Sequence, residues 1–202
     1  MKIIFLDNDG VICLSNNWGS RFKKQDKWGG RKLSMTQKEI PLEYRFDNFD
    51  QKAVEVLNEI LKETDAEIVV SSDWRLYADM EELGDYYESQ GIIKRPYSIT
   101  EVFHYTNWLE EGFLPDDDKK FPWSRWENRE QERYFEIMRW LGHNPSTTKW
   151  VAIDDLNMGI DINTSFGPTE REWGLRNFVW TPQESEGIKQ SGVKEKILKY
   201  LK

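Results

Sequence analysis

The sequence predicts an α/β fold in which a central, mostly parallel sheet carries helices on both faces. Two observations predict it. Lys2–Leu6, Glu67–Ser71 and Trp150–Ile153 are short apolar runs that read as buried strands. Between them lie segments whose apolar residues recur at helical spacing, the alternation expected of a parallel sheet.

In chain order, Lys2–Leu6 runs into Asp7-Asn8-Asp9-Gly10, a strand followed by a turn. After Val11–Leu14, Gly19, Gly29, Gly30 and Pro41 interrupt any regular pattern, so residues at about 15–46 are expected to form an insertion. Val54, Leu57, Ile60 and Leu61 fall on one helical face, with Asp50 placed to cap that helix. A second strand, Glu67–Ser71, leads to a helix through Leu76, Met80 and Leu83 that closes near Gly91. Ile92-Ile93 is a candidate opening for another strand. From Pro96 to Trp126 there is no clear period, and a second insertion is expected at about 96–127. Asn128–Leu141 is again helical and is ended by Gly142-His143-Asn144-Pro145. Trp150–Ile153 is the third strand, Leu175–Trp180 a candidate fourth, and Val193–Leu201 a terminal helix. The expectation is one domain over residues 1–202.

Charged residues make up 32% of the chain and mean hydropathy is -0.76, but ten Trp, ten Phe and eight Tyr supply enough apolar area for a core. No run approaches the roughly 18 apolar residues of a membrane span. The first apolar run meets Asp7 after four residues, which is not the pattern of a signal peptide. One cysteine excludes an internal disulfide framework and suits a reducing, cytoplasmic setting. With two histidines beside it, a structural zinc site is not expected, and carboxylates are expected to carry any hydrolytic chemistry. Net charge is -8, yet residues 18–45 hold eight basic against three acidic residues. That island suggests a surface for an anion, although a solvated flap of long side chains explains it equally well.

The predicted strands end in Asp7-Asn8-Asp9, Ser71-Ser72-Asp73 and Asp154-Asp155. Ligands of open parallel sheets bind beyond the carboxyl ends of the strands, so these groups are expected to converge. Carboxylates that close repel unless a cation such as Mg²⁺ neutralises them. With an Asp free to attack phosphorus, the pattern suggests phosphoryl transfer through an aspartyl-phosphate. Taken singly, an Asp-Asn-Asp-Gly turn or an acidic pair after a strand is ordinary; the ordered set is not.

Phe5-Leu6-Asp7-Asn8-Asp9-Gly10-Val11 resembles the first motif of the haloacid dehalogenase (HAD) superfamily of phosphatases. Val69-Val70-Ser71-Ser72 resembles the second motif and Ala152-Ile153-Asp154-Asp155 the fourth. Arg133 fits the basic third motif best, with Arg129 and Arg125 as rivals and Lys149 too close to the strand. Ser71-Ser72-Asp73-Trp74-Arg75, followed by Glu136-Ile137 and Trp140-Leu141, further resembles the HAD domains of Swiss Army Knife RNA-repair proteins. The phosphatase half of polynucleotide kinase–phosphatases and the 5′-nucleotidases are related branches.

The resemblance implies a Rossmann-like HAD fold with cap-like insertions. It implies Asp7 as nucleophile and Asp9 as the acid that later acts as base. Mg²⁺ would lie on the Asp7 carboxylate, the Asp9 main-chain carbonyl and Asp154, with Asp155 in support. Ser71 would meet a phosphate oxygen and Arg133 the transferring phosphoryl group. Ser72 and Arg75 are expected beside the substrate, as are Lys23, Lys24 and Lys27 of the basic insertion. Two functional readings are open: a Mg²⁺-dependent phosphomonoesterase acting on single-stranded nucleic-acid ends or nucleotides, and a HAD-like module kept for binding. An attacking carboxylate favours the enzyme.

Overall fold

The computed structural model describes residues 1–30, 35–103, 129–159 and 174–202. Five parallel strands form one sheet: β1 (Lys2–Leu6), β2 (Glu67–Val70), β3 (Ser98–Ile99), β4 (Lys149–Asp154) and β5 (Phe178–Trp180), ordered β3-β2-β1-β4-β5. β1 is central, pairing Leu6 with Val70 on one side and with Ile153 on the other. This register brings the carboxyl ends of β1, β2 and β4 to one edge of the sheet.

Alternate strand residues point to opposite faces, and two cores result. Ile4, Leu6, Ile68, Val70, Val151 and Ile153 pack against α3 (Gln51–Thr64), α4 (Met80–Ser89) and α6 (Val193–Leu201). Ile3, Phe5, Val69 and Ala152 pack on the other face against Ile137 and Trp140 of α5 (Arg129–His143). The expected α/β architecture is therefore present, with helices on both faces.

Local chemistry sets the helix ends. Asp50 accepts from the Ala53 amide at 3.0 Å to start α3, and Asp79 and Glu82 form a reciprocal capping box at the start of α4. The helix expected from Leu76 onward is split by these caps: Ser72 starts a separate 3-10 turn over Asp73–Leu76. Ile92-Ile93 lies outside any strand, and the edge strand is Ser98–Ile99. The last strand is likewise shorter than Leu175–Trp180.

The basic segment also departs from the expectation of no regular structure. It contains α1 (Ser20–Trp28) and a short α2 (Leu42–Arg45). α1 buries only Gln25, so its stability comes from hydrogen bonds rather than an apolar stripe. The Asp47 carboxylate accepts from the Ser20 hydroxyl at 3.2 Å and the Arg21 amide at 2.8 Å, placing an anion at the helix N-terminus. Residues 104–128, which hold Arg125, His104 and most of the second expected insertion, lie outside the described residues, as do Arg31 and Lys32.

Candidate active site

Asp7 follows β1, and its amide continues the ladder by donating to Ile153 O at 3.1 Å. The Ser71 amide does the same toward Leu6 O at 2.9 Å. Asp7, Ser71 and Asp154 thus stand side by side at the strand ends, all buried. The turn after Asp7 is held by the Asn8 carbonyl, which accepts the amides of Val11, Ile12 and Cys13. The Asn8 side chain accepts from the Tyr87 hydroxyl at 2.5 Å. Gly10 has φ 69°, and a Cβ there would fall 2.4 Å from Asp155 Oδ2. The turn therefore needs glycine both for its backbone and for the close approach of Asp155.

One oxygen from each of Asp7, Asp154 and Asp155 lies within 4.8 Å of the others, a group that could hold a metal ion. The donors are hard carboxylate oxygens, which suit Mg²⁺ better than a soft-ligand metal. Their electrostatics point the same way. Burial raises all three carboxyls above their ordinary range; the charge of Asp7 adds to the shift of Asp154 and of Asp155, the latter reaching about 7. A bound cation relieves that repulsion. Asp9 differs, because its carboxylate accepts from Trp74 Nε1 at 2.8 Å. Trp74 in turn is stacked on Phe46 and Phe49. Burial, then the charge of Asp7, lifts Asp9 to about 6 against the lowering effect of the Trp74 bond.

Arg133, buried on α5, reaches the same centre. Its Nη1 lies 3.3 Å from Asp7 Oδ1 and 3.2 Å from Asp154 Oδ2. Burial opposes its charge, but Asp154, Asp7 and Glu136 outweigh that and hold the guanidinium protonated. Its rival Arg129 pairs instead with Asp73 and Glu132. Lys149 stands at the opposite end of β4 and donates to the Lys202 carbonyl. Ser71 Oγ is buried with no hydrogen-bond partner among the described residues, a donor left over for a ligand. Ser72 bonds the Asp7 carboxylate, which partly offsets the upward effect of burial on its pKa, and its hydroxyl also accepts from the Trp74 amide at 3.5 Å.

Arg75 and Lys24, expected beside the substrate, are turned inward. Arg75 donates to Ser72 O at 2.7 Å and pairs with Glu136 at 2.5 Å, both side chains being buried. Lys24 donates to Phe46 O at 2.7 Å, Asn48 Oδ1 at 3.0 Å and Tyr86 OH at 3.4 Å. A cluster of oxygen acceptors under a half-buried ammonium is the reason, and no sequence pattern announces it. Arg45 is spent in the same way, on carbonyls of Lys38, Ile40 and Tyr77 and on Glu82. Lys23 and Lys27 remain exposed on α1.

A family model described as the HAD domain in Swiss Army Knife RNA repair proteins matches residues 3–178. The chain belongs to that family. No curated protein and no solved structure gives a match. The matched span of this HAD domain includes both parts of the acidic centre, Asp7 and Asp154-Asp155, as well as Arg133. Among the described residues, no helix is long and apolar enough to cross a membrane.

Glu136 is the site residue whose part sequence reasoning leaves unassigned. It accepts from the Phe103 amide at 3.0 Å and lies 3.4 Å from Arg133 Nε. Its spacing of three from Arg133 on a helix, which puts both on one face, is the signal that points to it. Trp74, as readily core as functional from sequence, is buried and bonded to Asp9.

Proposed function

We propose that this HAD domain is a Mg²⁺-dependent phosphomonoesterase working through an aspartyl-phosphate, with a nucleic-acid terminal phosphate or a nucleotide as substrate. One observation carries the reading: Arg133 spans Asp7 and Asp154 at the edge where Asp7, Asp154 and Asp155 meet. That arrangement offers a carboxylate nucleophile, a fixed positive charge and a cation site around a single point.

The Asp7 carboxylate attacks phosphorus, and the ester P–O bond breaks toward the leaving oxygen. Asp9, whose pKa is raised to about 6, keeps its proton to higher pH than a free carboxyl and gives that oxygen its proton. The same carboxylate then takes a proton from water, which attacks the phosphoryl group, releases inorganic phosphate and restores Asp7. Arg133 offsets charge on the transferring group, and the unspent Ser71 hydroxyl donates to one of its oxygens. Asp7, Asp154, Asp155 and the Asp9 carbonyl would hold Mg²⁺, which would neutralise charge on the phosphate oxygens.

The family description, which names RNA repair, supports a nucleic-acid end. The inward turn of Lys24 supports a compact nucleotide as second reading, because it shortens the basic track available to a strand. The test is Asp7→Asn. Turnover of phosphorylated oligonucleotides and mononucleotides is expected to vanish, with circular dichroism unchanged, and EDTA is expected to silence the wild type. Near-normal turnover by Asp7→Asn on a substrate of the wild type overturns the mechanism.

A further inference from the structure

Two exposed tryptophans are pinned to the loops of the acidic centre through their only polar atom. Trp18 Nε1 donates to the Cys13 carbonyl at 3.3 Å, and the same carbonyl receives the Gly10 amide at 3.0 Å. Trp180 Nε1 donates to the Asp155 carbonyl at 2.8 Å. Trp180 is also the register partner of Asp154 across β4 and β5. Gly10, against which the Asp155 carboxylate packs, links the two anchor points. The Trp18 ring is thus one carbonyl away from the turn that carries Asp7 and Asp9, and the Trp180 ring is bonded to the residue whose carboxylate packs against that turn. Yet the residues are 45% and 44% exposed. Other exposed rings of the basic segment already have covers: Trp28 is stacked on Tyr44, and the Arg21 guanidinium lies over Phe22.

An indole fixed at its N–H and open at its face is a stacking platform whose orientation is set before binding. A phosphomonoester whose phosphate sits at Asp7 must direct its organic part outward past this rim. A flat, uncharged heterocycle matches both the rings and a body of net charge -8, which gains little from a long polyanion. Resting on the phosphatase reading, we propose that Trp18 and Trp180 form a nucleobase subsite, taking the base or bases adjoining the scissile phosphate. Selectivity then comes from stacking at the rim more than from a basic track along α1.

The experiment compares two probes: a terminally phosphorylated oligonucleotide, and the same strand made abasic at the nucleotides adjoining that phosphate. Binding is read by fluorescence anisotropy with Mg²⁺ in an Asp7→Asn background, so that no probe is consumed. Trp18→Ala and Trp180→Ala are each expected to weaken the base-bearing probe about 5- to 150-fold, the range of one lost base–aromatic stack. The abasic probe is expected to bind the wild-type and Ala rims alike. Trp→Phe at either position, which keeps a ring, is expected to retain more binding than Ala. Equal weakening of both probes, no weakening of either, or no binding of either overturns the subsite. Turnover by the chain with Asp7 intact is scored separately. Base-dependent binding without turnover removes the phosphatase reading and leaves the subsite. Turnover indifferent to the base and to both tryptophans does the reverse.

Discussion

Glu136 makes the sharpest test of how this centre is held. Its carboxylate is fully buried between two guanidiniums, 2.5 Å from Arg75 and 3.4 Å from Arg133. Replacing it with Gln leaves both cations in place and removes the charge between them. Arg133 still faces Asp7, Asp154 and Asp73, whereas among the described residues Arg75 keeps only its bond to the Ser72 carbonyl. Deleting one partner of a buried pair costs about 3–5 kcal/mol, because the remaining charge stays desolvated. Against a typical stability of about 5–15 kcal/mol, Glu136→Gln is expected to fold but to melt roughly 6–20 °C lower. Removing both partners, as Arg75→Met with Glu136→Met, takes away the orphaned charge and is expected to recover at least half of the loss. Guanidinium unfolding followed by far-ultraviolet circular dichroism measures all three chains. A single variant within about 1 kcal/mol of wild type, or a double variant worse than the single, refutes the reasoning.

Arg133→Ala is expected to lower kcat about 10²–10³-fold, the usual loss for a contact that stabilises transferring charge; Arg129→Ala, whose partners are Asp73 and Glu132, is expected to be far milder, and the reverse order would reassign the basic motif. Gly10→Ala places a methyl 2.4 Å from Asp155 Oδ2 on a backbone at φ 69°; the carboxylate must retreat by about an ångström to reach ordinary contact, so the Mg²⁺ concentration for half-maximal activity is expected to rise, and an unchanged requirement would remove Asp155 from the cation site. Cys13 is buried, and burial aided by the charge of Asp9 pushes its thiol up, so it carries less thiolate at pH 8 than a free cysteine; it is expected to resist iodoacetamide until the chain is unfolded, and rapid native labelling would contradict that packing.

Short-range pattern accounts for the parts of this fold that are legible in the sequence. β1, β2 and β4 are apolar runs closed by polar residues, and a parallel sheet gathers such ends without further information. α3, α5 and α6 carry apolar residues at helical spacing and are readable for the same reason. β3 is not, because two residues cannot show a period. The nearby Ile92-Ile93 pair misleads: Ile92 is buried in the core while Ile93 is 49% exposed, and neither joins a ladder. α1 is hidden because the carboxylate that caps it, Asp47, comes more than twenty residues later. The fate of Lys24 is hidden too, since charge arithmetic counts an ammonium but cannot see three acceptors arranged beneath it.

The two aspartates of the first motif show how distant segments divide one short pattern into two chemistries. Asp7 and Asp9 are two residues apart, and composition alone gives them equal standing. Asp7 stays in line with β1 and meets Arg133 and Asp154, so its neighbours are charges. The tight turn at Asn8 and Gly10 carries Asp9 out of that line and against the indole of Trp74. That indole is positioned by Phe46 and Phe49, at the end of the basic segment, with centroids 4.4 and 5.3 Å away. A carboxyl among aromatic rings, with one neutral N–H donor and a negative neighbour, keeps its proton to about pH 6. Asp7 faces the Arg133 guanidinium instead, whose charge works against the larger upward effect of burial. Phe46 and Phe49, where the basic segment ends, therefore set the surroundings of Asp9 through Trp74, while Asp7 is left to Arg133 and Asp154.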